Sequence, residues 1–392
     1  MAIAEKIRIM KENSSFIRKM FETGSRLKKE FGAENVYDFS LGNPYPNPPA
    51  LMTDILLKEA AREELHGYMP NAGYPDVREK VAAYVSREQN VSMDLSSIVM
   101  TSGAGGALNV ILKTILNPGD KVLVGRPCFV EYRFYCDNHG GELVMVDSAR
   151  NFDLDLESFE EAVDSKTAAV IINSPNNPTG RVYTESNLRG LAGLLDRKSR
   201  EYGRRIYIIS DEPYRKIVYG DTVVPSIMDI YSHSAICTSY SKDLSLSGER
   251  IGYLAVHPGA ESFQDIMDGA VLCNRILGYV NAPALMQRVV AELQGISVNV
   301  EEYRKKRDRL TAILNSVGFD LKPPEGAFYL FPAVPGGDDL ACTAVLQEEK
   351  ILAVPGRGFG QPGYIRLAYC VSDEVIERSL PAFEKAAAVL FG

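Results

Sequence analysis

Ser239-Tyr240-Ser241-Lys242-Asp243-Leu244-Ser245-Leu246-Ser247-Gly248-Glu249-Arg250-Ile251-Gly252-Tyr253 decides how this chain is read. An apolar run over residues 235–238 leads into it and another over 252–256 leads out. A lone lysine therefore lies in a small, polar loop between two buried strands. Lysine forms a Schiff base with a carbonyl cofactor when its surroundings depress its pKa and free the amine. Arg250 supplies a fixed positive charge for a phosphate, and the hydroxyls of Ser239, Ser241 and Ser247 are placed to join it. A bare S-x-S-K is also what a solvated surface loop looks like, so the reading depends on what surrounds it.

Working outward, residues 50–280 alternate helical and strand patterns. Strands are predicted at 98–101, 122–124, 143–146, 168–172, 206–210, 236–239 and 252–256, with helices at 105–116, 156–163 and 185–200. Near-continuous apolar strands between amphipathic helices predict an α/β fold with a mainly parallel, seven-stranded sheet covered on both faces. Such sheets bind ligands at the carboxyl ends of their strands. After Pro283 the pattern changes to helices at 285–293 and 301–314, a strand at 328–331, a helix near 339–349, a strand at 365–369 and a terminal helix at 373–390. Two domains are expected: a large one over 49–285 and a smaller α+β one formed by 1–48 with 286–392. Helical periodicity in Phe16, Ile17, Met20, Phe21, Leu27 and Phe31 and a proline-rich turn after Gly42 fit the first of those segments.

Five further features stand out, four of them at predicted strand ends and one, Arg366, inside a strand. Thr101-Ser102-Gly103-Ala104-Gly105-Gly106 is a glycine-rich turn opening a helix, where backbone N–H groups approach an anion. It is neither a P-loop nor a dinucleotide fingerprint. Asn173-Ser174-Pro175-Asn176-Asn177-Pro178-Thr179-Gly180 presents Asn177 from a proline-fixed loop. In Ser210-Asp211-Glu212-Pro213-Tyr214, a carboxylate at the end of a buried strand needs a cation, and Tyr214 can reach the same ligand. Arg366, embedded in Gly363-Tyr364-Ile365-Arg366-Leu367-Ala368-Tyr369, is suited to a bidentate carboxylate. Phe129, after the strand around Val124, can stack on an aromatic ring or pack in the core.

These motifs occur in one order, with Arg250 following Lys242 at a fixed interval. Together they closely resemble the class I/II aminotransferases of the aspartate aminotransferase-like kind, fold-type-I enzymes that use pyridoxal 5′-phosphate. The resemblance runs from about Gly42 to the end of the chain. It implies that Lys242 carries the cofactor, that Asp211 pairs with its pyridine nitrogen, and that Asn177 and Tyr214 bond its ring oxygen. Ser239, Arg250 and the backbone of Gly103, Ala104 and Gly105 would hold the phosphate, with Phe129 stacked on the ring. Arg366 would bind the substrate α-carboxylate beside Gly42 and Asn177. Tyr68 matches a tyrosine that reaches the phosphate of a neighbouring subunit, so a homodimer with shared sites is implied. Phe129 stands where many members have tryptophan. Gly105 stands where aspartate-using members of a related branch carry a lysine, which leaves Arg275 as the candidate cation for a distal carboxylate.

The implied reaction moves an amino group between an L-amino acid and a 2-oxo acid, with a dicarboxylate such as aspartate, glutamate or 2-oxoglutarate as one partner. β-Elimination of a sulfur amino acid on the same scaffold and a ligand-sensing regulator are the alternatives. The regulator would be expected to add a basic DNA-binding module before residue 40, which is not read here. A formal net charge of −8 over 392 residues argues against nucleic acid or an anionic membrane surface as partner. No apolar run has the length of a membrane span, and residues 1–30 mix both charges without the core of a signal peptide. Six cysteines without C-x-x-C spacing read as reduced core residues of a cytoplasmic protein, and four scattered histidines give no metal site.

Overall fold

The computed structural model describes residues 3–12, 16–63 and 66–392. After a helix over Phe16–Phe31, strand β1 (Tyr37–Asp38) is followed by seven strands of one sheet. These are β2 (Ile98–Thr101), β3 (Lys121–Gly125), β4 (Glu142–Val146), β5 (Thr167–Asn173), β6 (Tyr207–Asp211), β7 (Ser234–Ser239) and β8 (Gly252–Val256). Their order is β2-β8-β7-β6-β5-β3-β4. Only β8 runs against its two neighbours; the other pairings in the sheet are parallel. The seven predicted strands are thus all present, displaced by at most a residue or two.

Period-two alternation explains why both faces are apolar. Leu123, Val170, Ile208 and Ile236 point into one buried cluster with the helices Ala50–Ala60, Pro75–Gln89 and Glu185–Tyr202. Their strand neighbours Val122, Val124, Ile171, Ile209 and Cys237 point into the other, against the helices Gly103–Ile115 and Phe263–Ile276. The helix Glu185–Tyr202 starts where Thr184 Oγ1 accepts from Asn187 N at 3.2 Å. It ends at Gly203 in the left-handed conformation.

A third cluster joins Phe39, Tyr214 and Tyr219 to side chains from 298 onward, including Tyr303, Phe328, Tyr369 and Phe383. It surrounds the short strands β9 (Tyr329–Leu330), β10 (Ile351–Leu352), β11 (Val354–Pro355) and β12 (Ile365–Ala368). β11, β12 and β9 form an antiparallel sheet, and β1 pairs in parallel with β10. Residues around β1 therefore pack with the C-terminal part of the chain.

Two expectations change, and one is met in part within the described residues. The helix Ala284–Glu292 straddles the expected boundary at 285 and buries Met286, Val289 and Val290 in the core of the large sheet. The terminal helix is two, Asp373–Arg378 and Leu380–Leu390, with Pro381 in the first turn of the second. Of the predicted N-terminal periodicity, Leu27 is buried and Phe31 exposed, while the side chains of Phe16, Ile17 and Phe21 lie outside the described ones. All six cysteines are buried and unpaired. Among the described residues no helix is long and apolar enough to cross a membrane.

Candidate active site

Because β8 alone is reversed, its first residue lies at the same sheet edge as the last residues of β2, β5, β6 and β7. A cavity of about 290 Å³ opens there, lined by Gly42, Ala104, Gly105, Phe129, Asn177, Asp211, Tyr214, Ser239, Lys242, Arg250 and Arg366. Eleven residues scattered over the sequence are brought together. Leu108, Tyr135, Asn173, Ser241, Ser247 and Tyr329 complete much of the wall. A larger cavity of about 440 Å³ between residues 150–152 and 320–325 holds none of the expected groups except the turn at Thr179-Gly180.

Lys242 stands in a loop pinned at its base, where Tyr240 N donates to Ile251 O and Leu246 N to Tyr240 O, both at 3.2 Å. Its Nζ donates to the carbonyl of Gly42 at 2.9 Å. Burial pulls its pKa down to about 8, with Arg366 and Arg250 acting in the same direction and Cys370 and Asp211 opposing them. Gly42 is itself pressed against Tyr329: a Cβ there would overlap the tyrosine hydroxyl.

Asp211 ends β6. Its Oδ2 accepts from Tyr132 Oη at 2.5 Å, while Oδ1 is buried without a partner. Burial pushes the carboxyl up to about 7, against the opposing effect of the Tyr132 hydrogen bond. An unpartnered carboxylate oxygen at the wall of a cavity is what a cationic ligand atom would satisfy. Asn173, at the end of β5, donates to Asp211 O at 2.8 Å and accepts from Asn177 N at 2.7 Å, so the two loops are tied together.

At the opposite wall Arg366 donates to Asn177 Oδ1 at 3.1 Å and to Ser40 O at 2.7 Å, and its Nε is buried with no partner. Its guanidinium lies 4.7 Å from the ring of Tyr329 and 4.8 Å from that of Phe359. Arg250, left-handed at φ 52°, donates to Ser247 O at 3.0 Å. It lies against Gly103, where a Cβ would come within 2.9 Å of the guanidinium. Gly103 opens the helix Gly103–Ile115, whose first N–H groups receive no side-chain cap. Helix terminus and guanidinium together make an anion site.

Tyr214 Oη is hydrogen-bonded to Tyr329 Oη at 2.8 Å. Phe129 lines the cavity with its ring edge-on to Tyr132, 5.6 Å between centroids. Tyr68 is 97% exposed and outside the cavity of its own chain. Arg275 is exposed in the last turn of the helix Phe263–Ile276 and lies outside the cavity of its own chain. The apolar run around it is helical, so one side of it meets solvent. Tyr132, Tyr135 and Tyr329 were not foreseen. Tyr132 stands between Glu131 and Arg133, and nothing local marks its burial or its contact with Asp211.

Comparison with known proteins agrees with this geometry. Residues 33–383 match the family model for aminotransferase class I and II. A probable aspartate aminotransferase of Methanocaldococcus jannaschii is 34% identical over 88% of this chain and 91% of its own length. The crystal structure of an amino transferase from Eubacterium rectale superposes with a TM-score of 0.96 at 36% identity, covering all of both chains. Aspartate aminotransferase from Thermus thermophilus with maleate follows at a TM-score of 0.87 and 26% identity, covering 98% of this chain and 100% of its own. The chain belongs to the class I and II aminotransferases. It is an enzyme of amino-group transfer, a family that uses pyridoxal phosphate, and the lyase and regulator readings are not favoured.

Proposed function

We propose that this enzyme binds pyridoxal 5′-phosphate in the 290 Å³ cavity and exchanges an amino group between an L-amino acid and a 2-oxo acid. The observation that carries this is the pairing of a depressed lysine amine with a buried, half-satisfied carboxylate in one cavity. The cofactor supplies a carbonyl that takes up the amino group and a ring that accepts electrons from the α-carbon.

Around it the residues divide the work. Asp211 Oδ1 would hold a proton on the pyridine nitrogen, while the Tyr132 hydrogen bond to Oδ2 favours the ionised carboxylate. Arg250, Ser239 and the N–H groups of Gly103, Ala104 and Gly105 hold the phosphate, and Phe129 covers the ring. Asn177 and Tyr214 bond the ring oxygen, for which Tyr214 exchanges or shares its bond with Tyr329. Arg366, oriented by Asn177 and Ser40, takes the substrate α-carboxylate with Gly42 alongside. Lys242 Nζ would hold and return the substrate α-proton, a task suited to an amine whose pKa is pulled down to about 8.

A dicarboxylate such as aspartate, glutamate or 2-oxoglutarate is proposed as one partner, on the strength of the names of the related enzymes. A cytoplasmic homodimer is proposed as well, in which the exposed Tyr68 reaches the phosphate of the neighbouring subunit. The two-domain division stands as a proposal with its second boundary moved beyond the helix Ala284–Glu292.

The test is borohydride reduction of the purified enzyme, peptide mapping, and assay of common amino acids with 2-oxoglutarate and pyruvate. The pyridoxyl label is expected on Lys242, and Lys242→Ala is expected to lose turnover by roughly 10³-fold or more. A label on another lysine overturns the assignment.

A further inference from the structure

Behind the loop that carries Lys242 lies a set of buried charges that the mechanism above leaves unused. A second cavity of about 30 Å³ is found there, lined by Glu88, Glu212, Arg215, Lys216 and Asp243 among others. Pro213 and Ser239 line both cavities, so the strand ends and loop backbone form the partition. Asp211 and Lys242 are each followed by a carboxylate that faces the other side. Asp211 and Lys242 line the larger cavity, whereas Glu212 and Asp243 line the smaller.

Both of these carboxylates are tied. Glu212 accepts from Ser210 Oγ at 2.8 Å and from Arg215 Nη1 and Gln89 Nε2, each at 3.3 Å. Asp243 Oδ2 lies 3.0 Å from Lys216 Nζ, with side-chain exposures of only 10% and 17%. Lys216 also donates to Ile296 O at 3.2 Å and sits 4.8 Å from the ring centroid of Tyr84. The carbonyl of Asp243 accepts from Val298 N at 2.7 Å.

The position of the pair is informative. The β6–β7 ladder ends at the pairing of Asp211 with Cys237. Beyond it only Glu212 N to Cys237 O at 2.9 Å and Thr238 Oγ1 to Glu212 O at 3.0 Å still join the two segments. Past that point the chains diverge into loops, and sheet pairing no longer fixes Lys242 relative to Asp211. The Lys216–Asp243 pair spans this gap. Stability alone does not account for it, because an apolar pair of similar size often serves a core equally well.

We propose that Lys216 and Asp243 are positioning residues for amino transfer: their ion pair clamps the segment after Asp211 to the segment carrying Lys242, setting amine and carboxylate across one cavity. This rests on the assignment of Lys242 and Asp211 given under Proposed function. Small misplacements of reacting groups cost rate far more than they cost binding.

The test uses Lys216→Met, Asp243→Leu and the double variant, with three readouts. These are thermal unfolding of the cofactor-free protein, kcat and KM of the loaded enzyme, and the pH dependence of acetic anhydride labelling of Lys242 without cofactor. The titratable groups that bear directly on Lys242, Cys370, Arg366, Arg250 and Asp211, are unchanged in all variants. Each single variant is expected to lose both Tm and kcat. The double variant is expected to regain wild-type Tm, yet to keep kcat down by roughly tenfold or more with KM within about twofold. In it the labelling midpoint of Lys242 should rise by about one unit as the loosened loop lets in water. Wild-type kcat with an unmoved midpoint in the double variant overturns the proposal. Should the double variant not fold, Asp243→Asn is judged by the same labelling midpoint. If the wild-type enzyme transfers no amino group, the functional reading fails, while the labelling shift still decides whether the pair positions Lys242.

Discussion

The hydroxyl of Tyr132 donates to one oxygen of Asp211 at 2.5 Å, and the other oxygen of that carboxylate has no partner. One half of the carboxylate is thus fixed by the protein and the other is left for a ligand. Tyr132 belongs to the helix Glu131–Asn138 and is fully buried, so the contact depends on packing of that helix under the sheet edge. Tyr132→Phe removes a hydrogen bond to a charged group, an effect on the order of 1.5–3 kcal/mol. The amino-acid half-reaction, followed by absorbance, is expected to slow by roughly ten- to a hundredfold, with KM little changed. An unaltered rate would mean that the ionised state of Asp211 does not rely on Tyr132.

Asp211→Asn separates function from stability. The folded carboxyl titrates near 7 against an ordinary value of 3.8. Between those pH values the folded state holds a proton that the unfolded chain has lost, so this residue's contribution to stability falls as pH rises from about 4 to 7. Asparagine mimics the protonated form and escapes that loss. The cofactor-free variant is therefore expected to be more stable than wild type at pH 8, by an amount on the order of a few kcal/mol. The gap should narrow at pH 5. Urea unfolding at the two pH values measures it, and a gap independent of pH would rule out the buried, reluctant carboxylate. Turnover of the same variant should drop by at least about a hundredfold.

Arg366 meets its neighbours through a planar fork, Nη1 to Asn177 and Nη2 to Ser40 O. Arg366→Lys keeps the charge but not the fork. KM for the amino acid and for the oxo acid is expected to rise together by roughly tenfold or more, because both present the same α-carboxylate. A rise for only one of them would show that the arginine binds a group they do not share.

Arg275 provides a contrast. It is exposed and outside the cavity of its own chain. Arg275→Leu is expected to leave KM for dicarboxylate and uncharged amino acids within about twofold of wild type, as for most surface substitutions. A selective rise for the dicarboxylate would show that a neighbouring copy carries this arginine into a site.

The strands and many of the residues that line the cavity were legible in the sequence for physical reasons. Runs such as Ala168-Ala169-Val170-Ile171-Ile172 are apolar at every position, which only a sheet buried on both faces accommodates. Chemistry-bearing residues then stood out as the polar interruptions that follow those runs: Asn177, Asp211, Ser239, Lys242. Arg366 stood out as a charge inside one. Local signals failed where a role depends on what arrives from elsewhere in the chain. Nothing near Tyr132 announces Asp211, nothing near Lys216 announces Asp243, and nothing near Tyr329 announces Tyr214. Arg275 is exposed because helical winding turns one side of an apolar run to solvent. Burial and periodicity are properties of a segment, and the sequence alone determined them. Which oxygen of Asp211 stays free, and how far burial depresses Lys242, depend on dielectric and on partners distant in sequence, so only the tertiary structure decided them.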